Sequence, residues 1–136
     1  MTDETRRGRA LVLLAGDWLA LGLFVFLGQL EHSLLDENGV ARFLRSAAEL
    51  VLPWTVVALL MRAHLWPAGQ TVTGFLARSL NTWLVAAPLA LLIRALLRDQ
   101  ATIPVLFILV MLGLGGLFLL AWRTLYVIWK RRRSPA

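Results

Sequence analysis

ALVLLAGDWLALGLFVFLGQL, residues 10–30, decides the fold: these twenty-one residues carry one charge, Asp17. A helix rises about 1.5 Å per residue and bilayer hydrocarbon is about 30 Å thick, so roughly 20 apolar residues in a row cross it. Residues 47–66, 79–97 and 103–129 have the same character. None of the four alternates with period two, which excludes barrel strands, and helices remain. The sequence thus predicts an all-α polytopic membrane protein, four transmembrane helices in an antiparallel bundle. The fourth run exceeds the need and is expected to tilt or to emerge from the bilayer.

The connectors fit that architecture. Residues 31–46 hold the turn signal Asp36-Glu37-Asn38-Gly39, with a helix expected to begin early in the second half. Residues 67–78 carry Pro67, Gly69 and Gly74, and residues 98–102 form a tight link before Pro104. Short links imply antiparallel neighbours and one compact transmembrane domain over 1–136.

Composition agrees: 59% of the 136 residues are hydrophobic, 16% are charged, and the mean hydropathy is +0.71. Globular domains are roughly 45–50% apolar and about a quarter charged. The net charge of +6 would suggest nucleic acid in a soluble protein. Here the cations sit beside apolar runs, Arg6, Arg7 and Arg9 before the first and Lys130-Arg131-Arg132-Arg133 after the last. That placement points to orientation and to anionic lipid at Lys130, Arg131, Arg132 and Arg133, and away from nucleic acid. The basic start followed by an apolar run is laid out like a signal peptide. The run is long and lacks a small-residue cleavage site, so a retained first span is expected.

Positive loops stay cytoplasmic. Nine Lys and Arg (Arg6, Arg7, Arg9, Arg62, Arg78 and the C-terminal four) fall on one side, and four (Arg42, Arg45, Arg94 and Arg98) on the other. Both termini are therefore expected in the cytoplasm (N-in/C-in). Trp66, Tyr126 and Trp129 then fall at the cytoplasmic interface.

Asp17 lies about seven residues inside the first run, and Arg123 seven before Lys130 on a run entering from the same side. They share a depth, and a charge near the bilayer centre costs about 2.5–3.5 kcal/mol on insertion scales, so an Asp17–Arg123 ion pair is expected. Asn81, Thr82 and Trp83 fall at a similar level, with Trp18 and Trp122 adjacent in sequence, giving an intramembrane polar layer. It reads either as a proton-accepting carboxylate, anion site or gate, or as a buried pair that fixes helix register. On the far side, Gln29, Glu31 and His32 follow the first run, while Arg94 and Arg98, four apart on one helical face, end the third. A second pair of these arginines with Glu31 or Glu49 is expected, with His32 a titratable neighbour. Snorkelling at an interface accounts for the same residues, and for Arg62 and His64.

Gly16 with Ala20, Ala86 with Ala90, and Gly113, Gly115 and Gly116 mark close helix contacts, within the fold or with a second copy or membrane-protein partner. Pro53 and Pro88 are expected to kink or locally open their helices. Cysteine is absent, which excludes disulfides, thiolate metal sites and cysteine nucleophiles. His32 and His64 fall on opposite sides in this topology and cannot share a metal. Ser33 beside His32 has no acid at catalytic spacing, and Gly113–Gly116 lies mid-span without the strand and turn of a phosphate loop. No catalytic residue, metal or cofactor is expected.

Gly16-Asp17 with Phe24, Gly28 and His32, then Pro53-Trp54, Trp83 with Arg94, and Trp122-Arg123 resemble, in order and spacing, the DUF3054 family of small prokaryotic membrane proteins. The resemblance spans nearly the whole hydrophobic region. It implies a four-span protein of a prokaryotic cell membrane with no assigned activity, and puts Asp17, His32, Arg94 and Arg123 at motif positions. Two functions are carried forward: a small ion or solute transporter or channel-like subunit with a protonatable Asp17–Arg123 pair, and a non-catalytic accessory subunit of a larger membrane complex.

Overall fold

The computed structural model describes residues 2–31 and 36–133. Among them all regular structure is helical: α1, Asp3–Glu31; α2, Gly39–Leu60; α3, Val72–Leu97; and a fourth helix, Val105–Arg133. All four are long and apolar enough to cross a membrane. Only 22–39% of the most apolar window of each is buried inside the protein, so most apolar side chains, Leu19, Leu84, Leu92 and Leu117 among them, point outward. Water does not tolerate so continuous an apolar surface, whereas lipid does. The chain is a multi-pass membrane protein.

The helix limits differ from the apolar runs for local reasons. α1 begins at Asp3, because helix continues into the charged segment, whose Asp3 and Glu4 complement the positive end of the helix dipole. α3 begins at Val72, seven residues before its apolar run, where the Thr71 side chain accepts from Gly74 N–H at 3.1 Å. α2 begins early, at Gly39, after an Asp36 carboxylate that accepts from Asn38 N–H at 3.1 Å.

α2 ends at Leu60, six residues before its apolar run does. Arg62 takes the left-handed conformation (φ 54°), Ala63 N–H reaches back to Ala58 C=O at 2.8 Å, and Arg62 N–H to Leu59 C=O at 3.2 Å. These are the two bonds of a Schellman cap. α3 ends the same way, with Asp99 left-handed (φ 49°) and Gln100 N–H on Ala95 C=O at 3.0 Å. Both caps do without glycine, which is why hydropathy alone overruns the first.

α2 packs most extensively on α3, and α1 lies against α2 and the fourth helix. The helices run through Pro53 and Pro88, and the departure from α geometry falls elsewhere, at a π turn, Met111–Gly115, in the fourth helix. The larger buried cluster centres on Trp54, Trp83, Leu119 and the small residues Ala86, Ala87 and Ala90. A smaller one, Leu13, Phe75, Tyr126 and Val127, closes the end of the bundle that carries both termini.

Candidate functional site

Buried polar groups gather at two levels. The first surrounds Arg123 of the fourth helix, which is fully buried, as is Asp17 of α1. Arg123 Nε donates to Asp17 Oδ1 at 3.0 Å and Nη2 to Oδ2 at 2.6 Å, a bidentate pairing. Nη1 donates to Ala63 C=O and to Ser79 Oγ, both at 2.8 Å. Trp54 Nε1 donates to Asp17 Oδ2 at 3.2 Å, and the guanidinium lies 5.1 Å from the Trp54 ring centroid and 5.4 Å from that of Phe75. All four helices, or the turn that ends α2, contribute. Four of the five N–H donors of the guanidinium are engaged, and the aromatic rings cover its faces.

The Ala63 carbonyl is available because α2 stops short of it. The Schellman cap turns the chain there, leaving an oxygen free to meet a cation. Sequence reasoning missed this acceptor, since a backbone carbonyl has no residue type to announce it. It also missed Phe75 and Ser79, and had Trp54 only as a motif residue without a place in the polar layer. Ser79 had a signal: it lies three and four residues before Thr82 and Trp83, on one helical face, and all three are buried.

Two residues expected in the polar layer stand outside it. Asn81 is exposed, because two residues from Ser79 is roughly 200° around α3. Trp18 is half-exposed, about 100° around from Asp17, and donates to Thr55 Oγ1 at 2.9 Å on α2. Trp122 packs on Gly16, where any added methyl would collide with the indole, and Trp122 Nε1 donates to Leu13 C=O at 3.3 Å.

Trp83 links this level to the next. Its ring sits 6.1 Å from that of Trp54, and its Nε1 donates at 2.9 Å to Leu112 C=O inside the π turn. A π turn re-aims backbone carbonyls that an α-helix would engage internally. Gly115 and Gly116 make the room, since a methyl on either would come within 2.9 Å and 2.7 Å of the indole.

The second level lies at the other end of the bundle. Glu49 of α2 is 6% exposed and receives Arg94 Nη1 at 2.8 Å, Arg98 Nη2 at 3.0 Å and Arg45 Nε at 3.1 Å. Arg98 also donates to Ser46 Oγ at 3.1 Å, Arg45 to Leu97 C=O at 3.2 Å, and the Arg94 guanidinium lies 5.0 Å from the centroid of Phe107. Of the two carboxylates considered as partner, Glu49 occupies the position. Glu31 is exposed at the end of α1, and His32 lies outside the described residues.

Beside Glu49 opens a chamber of about 190 Å³ with walls from all four helices. Gly28 and Gln29 of α1, Ser46 of α2, Arg94 and Arg98 of α3, and Phe107 of the fourth helix line it. Among the described residues no group of three or more His, Cys, Asp or Glu side chains is placed to hold a metal. The chamber's polar chemistry is that of guanidinium, hydroxyl and amide beside the Glu49 carboxylate, which is already bonded by arginine, and the donors that remain suit hydrogen-bonding an oxyanion.

The model of one family, described as "Protein of unknown function (DUF3054)", matches residues 14–126, a stretch that includes both levels. No curated protein and no solved structure matches the chain.

Proposed function

The chain belongs to the DUF3054 family, and on that premise we propose that it is a non-catalytic, transporter- or channel-like membrane protein that takes up a small solute in the Glu49 chamber. The observation that supports this reading is the contrast between the two levels. Around Arg123 the space is filled and the donors are engaged, whereas beside Glu49 a polar-ended chamber stands between the helices. In this reading the Asp17–Arg123 pair closes the path towards the end that carries the termini. Protonation of Asp17 would release it, because a neutral acid no longer holds the guanidinium by charge.

The positive-inside pattern supports both termini in the cytoplasm, with Lys130, Arg131, Arg132 and Arg133 at anionic lipid. Lys130 Nζ over Trp66 at 4.1 Å and Arg133 over Trp129 at 4.5 Å give that basic end an aromatic belt. The accessory-subunit reading rests on small-residue faces, and most of these are used within the fold, where Gly16 meets Trp122, Gly115 and Gly116 meet Trp83, and Ala86 and Ala90 are in the core, while Gly113 faces outward with open space beside it.

Flux into liposomes carrying the purified protein, with and without a pH gradient, tests the proposal. Ser46→Trp, which fills the chamber, is expected to abolish flux, and Asp17→Asn, measured per folded protein because its yield falls, to make flux independent of the pH gradient. Unchanged flux in both variants would sink the reading.

A further inference from the structure

Gln29 is 5% exposed, and neither oxygen nor nitrogen of its amide has a hydrogen-bond partner among the described residues. Buried polar side chains in folded proteins are paired in the large majority of cases, so such a group calls for an explanation. It lines the chamber that Arg94, Arg98 and Glu49 also line.

Charge points to what it meets. Arg94 and Arg98 of the chamber wall both bond to Glu49, two guanidiniums on one carboxylate and an excess of one positive charge, while Arg42 of the wall pairs with Asp36 and Arg45, also on Glu49, is 57% exposed and stands off the wall. Arg94 commits only Nη1 to Glu49, and its Nε and Nη2 make no hydrogen bond among the described residues. An excess of cation in a low-dielectric setting favours an anion. The amide adds a second requirement: Nε2 offers hydrogens to an anionic oxygen, while Oε1 needs a hydrogen in return. Apart from Arg42 and Ser46 the rest of the wall is apolar, made by Phe24, Val25, Leu50, Phe107 and their neighbours. Gly28 leaves open space, with nothing within 4 Å of where its methyl would be.

We propose that the chamber binds an amphiphilic oxyanion that also carries a hydroxyl group, such as a phosphodiester headgroup on an acyl chain. The oxyanion meets Arg94, Arg98 and Gln29 Nε2, the hydroxyl donates to Gln29 Oε1, and the apolar part lies along the phenylalanines. This names the ligand class of the chamber in the reading given above and rests on it.

The test uses the full chain in a neutral detergent, titrated with phosphatidylglycerol, phosphatidylcholine or inorganic phosphate, with bound species counted by native mass spectrometry and unfolding midpoints recorded. One phosphatidylglycerol is expected to bind at least tenfold tighter than phosphatidylcholine, which lacks both net charge and hydroxyl. Gln29→Leu and Arg94→Gln are each expected to lose about tenfold of that affinity. The midpoint of unliganded Gln29→Leu should be no lower than the parent's, which separates lost binding from lost folding. A variant with Lys130, Arg131, Arg132 and Arg133 all changed to Gln should keep the tight lipid.

Equal binding in Gln29→Leu and Arg94→Gln overturns the proposal, as does selectivity that follows only the C-terminal cations. Gln29-dependent binding of inorganic phosphate without lipid overturns the amphiphile and makes the ligand a free oxyanion. Tight Gln29-dependent lipid binding without flux defeats the transport reading alone. Flux without Gln29-dependent binding defeats this inference alone.

Discussion

Asp17 and Glu49 are both buried carboxylates bonded to arginine, one at each level of the same bundle, yet their surroundings are opposite in kind. Asp17 faces a single cation, and that cation is also bonded by Ala63 C=O and Ser79 Oγ and covered by two aromatic rings. Glu49 faces three cations that are partly exposed, beside a chamber whose Gln29 amide has no hydrogen-bond partner among the described residues. The first arrangement is balanced in charge and engages four of the five guanidinium donors under aromatic cover, so it offers a ligand little to bind. The second has an excess of charge and incomplete hydrogen bonding. Burial of a charge is therefore a poor guide to where a membrane protein binds something, and local stoichiometry is a better one.

If the contrast holds, Asp17→Asn has the largest effect, leaving Arg123 buried without its counter-charge, a loss of about 3–5 kcal/mol. It should appear as a sharp drop in unfolding midpoint and in membrane yield. Changing Arg123→Gln as well should restore part of it, and a double-mutant cycle measures the coupling. Gly16→Ala forces Trp122 to move and should cost about 1–3 kcal/mol. Gly28→Ala, beside the chamber, meets nothing and should stay within about 0.5 kcal/mol by the same thermal melt. Gln29→Leu reverses the sign: removing an unsatisfied buried amide should stabilise the unliganded protein by about 1 kcal/mol. A loss instead would mean that the amide is bonded in the membrane.

Parts of this contrast were legible in the sequence and parts were not. Asp17 and Arg123 each lie about seven residues from the end of a run, so depth could be counted along two chains entering from one side. Rotation about the helix axis could not be counted so simply, and Asn81 and Trp18 were placed by depth when their phase turns them outward. Glu49 and Glu31 could not be separated, because the choice depends on how α2 leans on α3. The Ala63 acceptor, the Leu112 carbonyl and the π turn belong to the backbone, and side-chain patterns do not encode them. Gln29 was visible as a polar residue at the end of a span; that its amide lacks a partner among the described residues emerges only once the helices around it are in place.

Water access separates the two levels most directly, and the absence of cysteine makes it measurable one site at a time. Ser46, bonded to Arg98 beside the chamber, and Ser79, bonded to Arg123, differ from cysteine by one atom, so Ser46→Cys and Ser79→Cys place thiols at the two levels with little disturbance. In proteoliposomes treated with a water-soluble maleimide, the account predicts that Ser46→Cys is labelled at least 100-fold faster than Ser79→Cys. Equal labelling rates, in a Ser79→Cys protein whose unfolding midpoint matches the parent's, would contradict it.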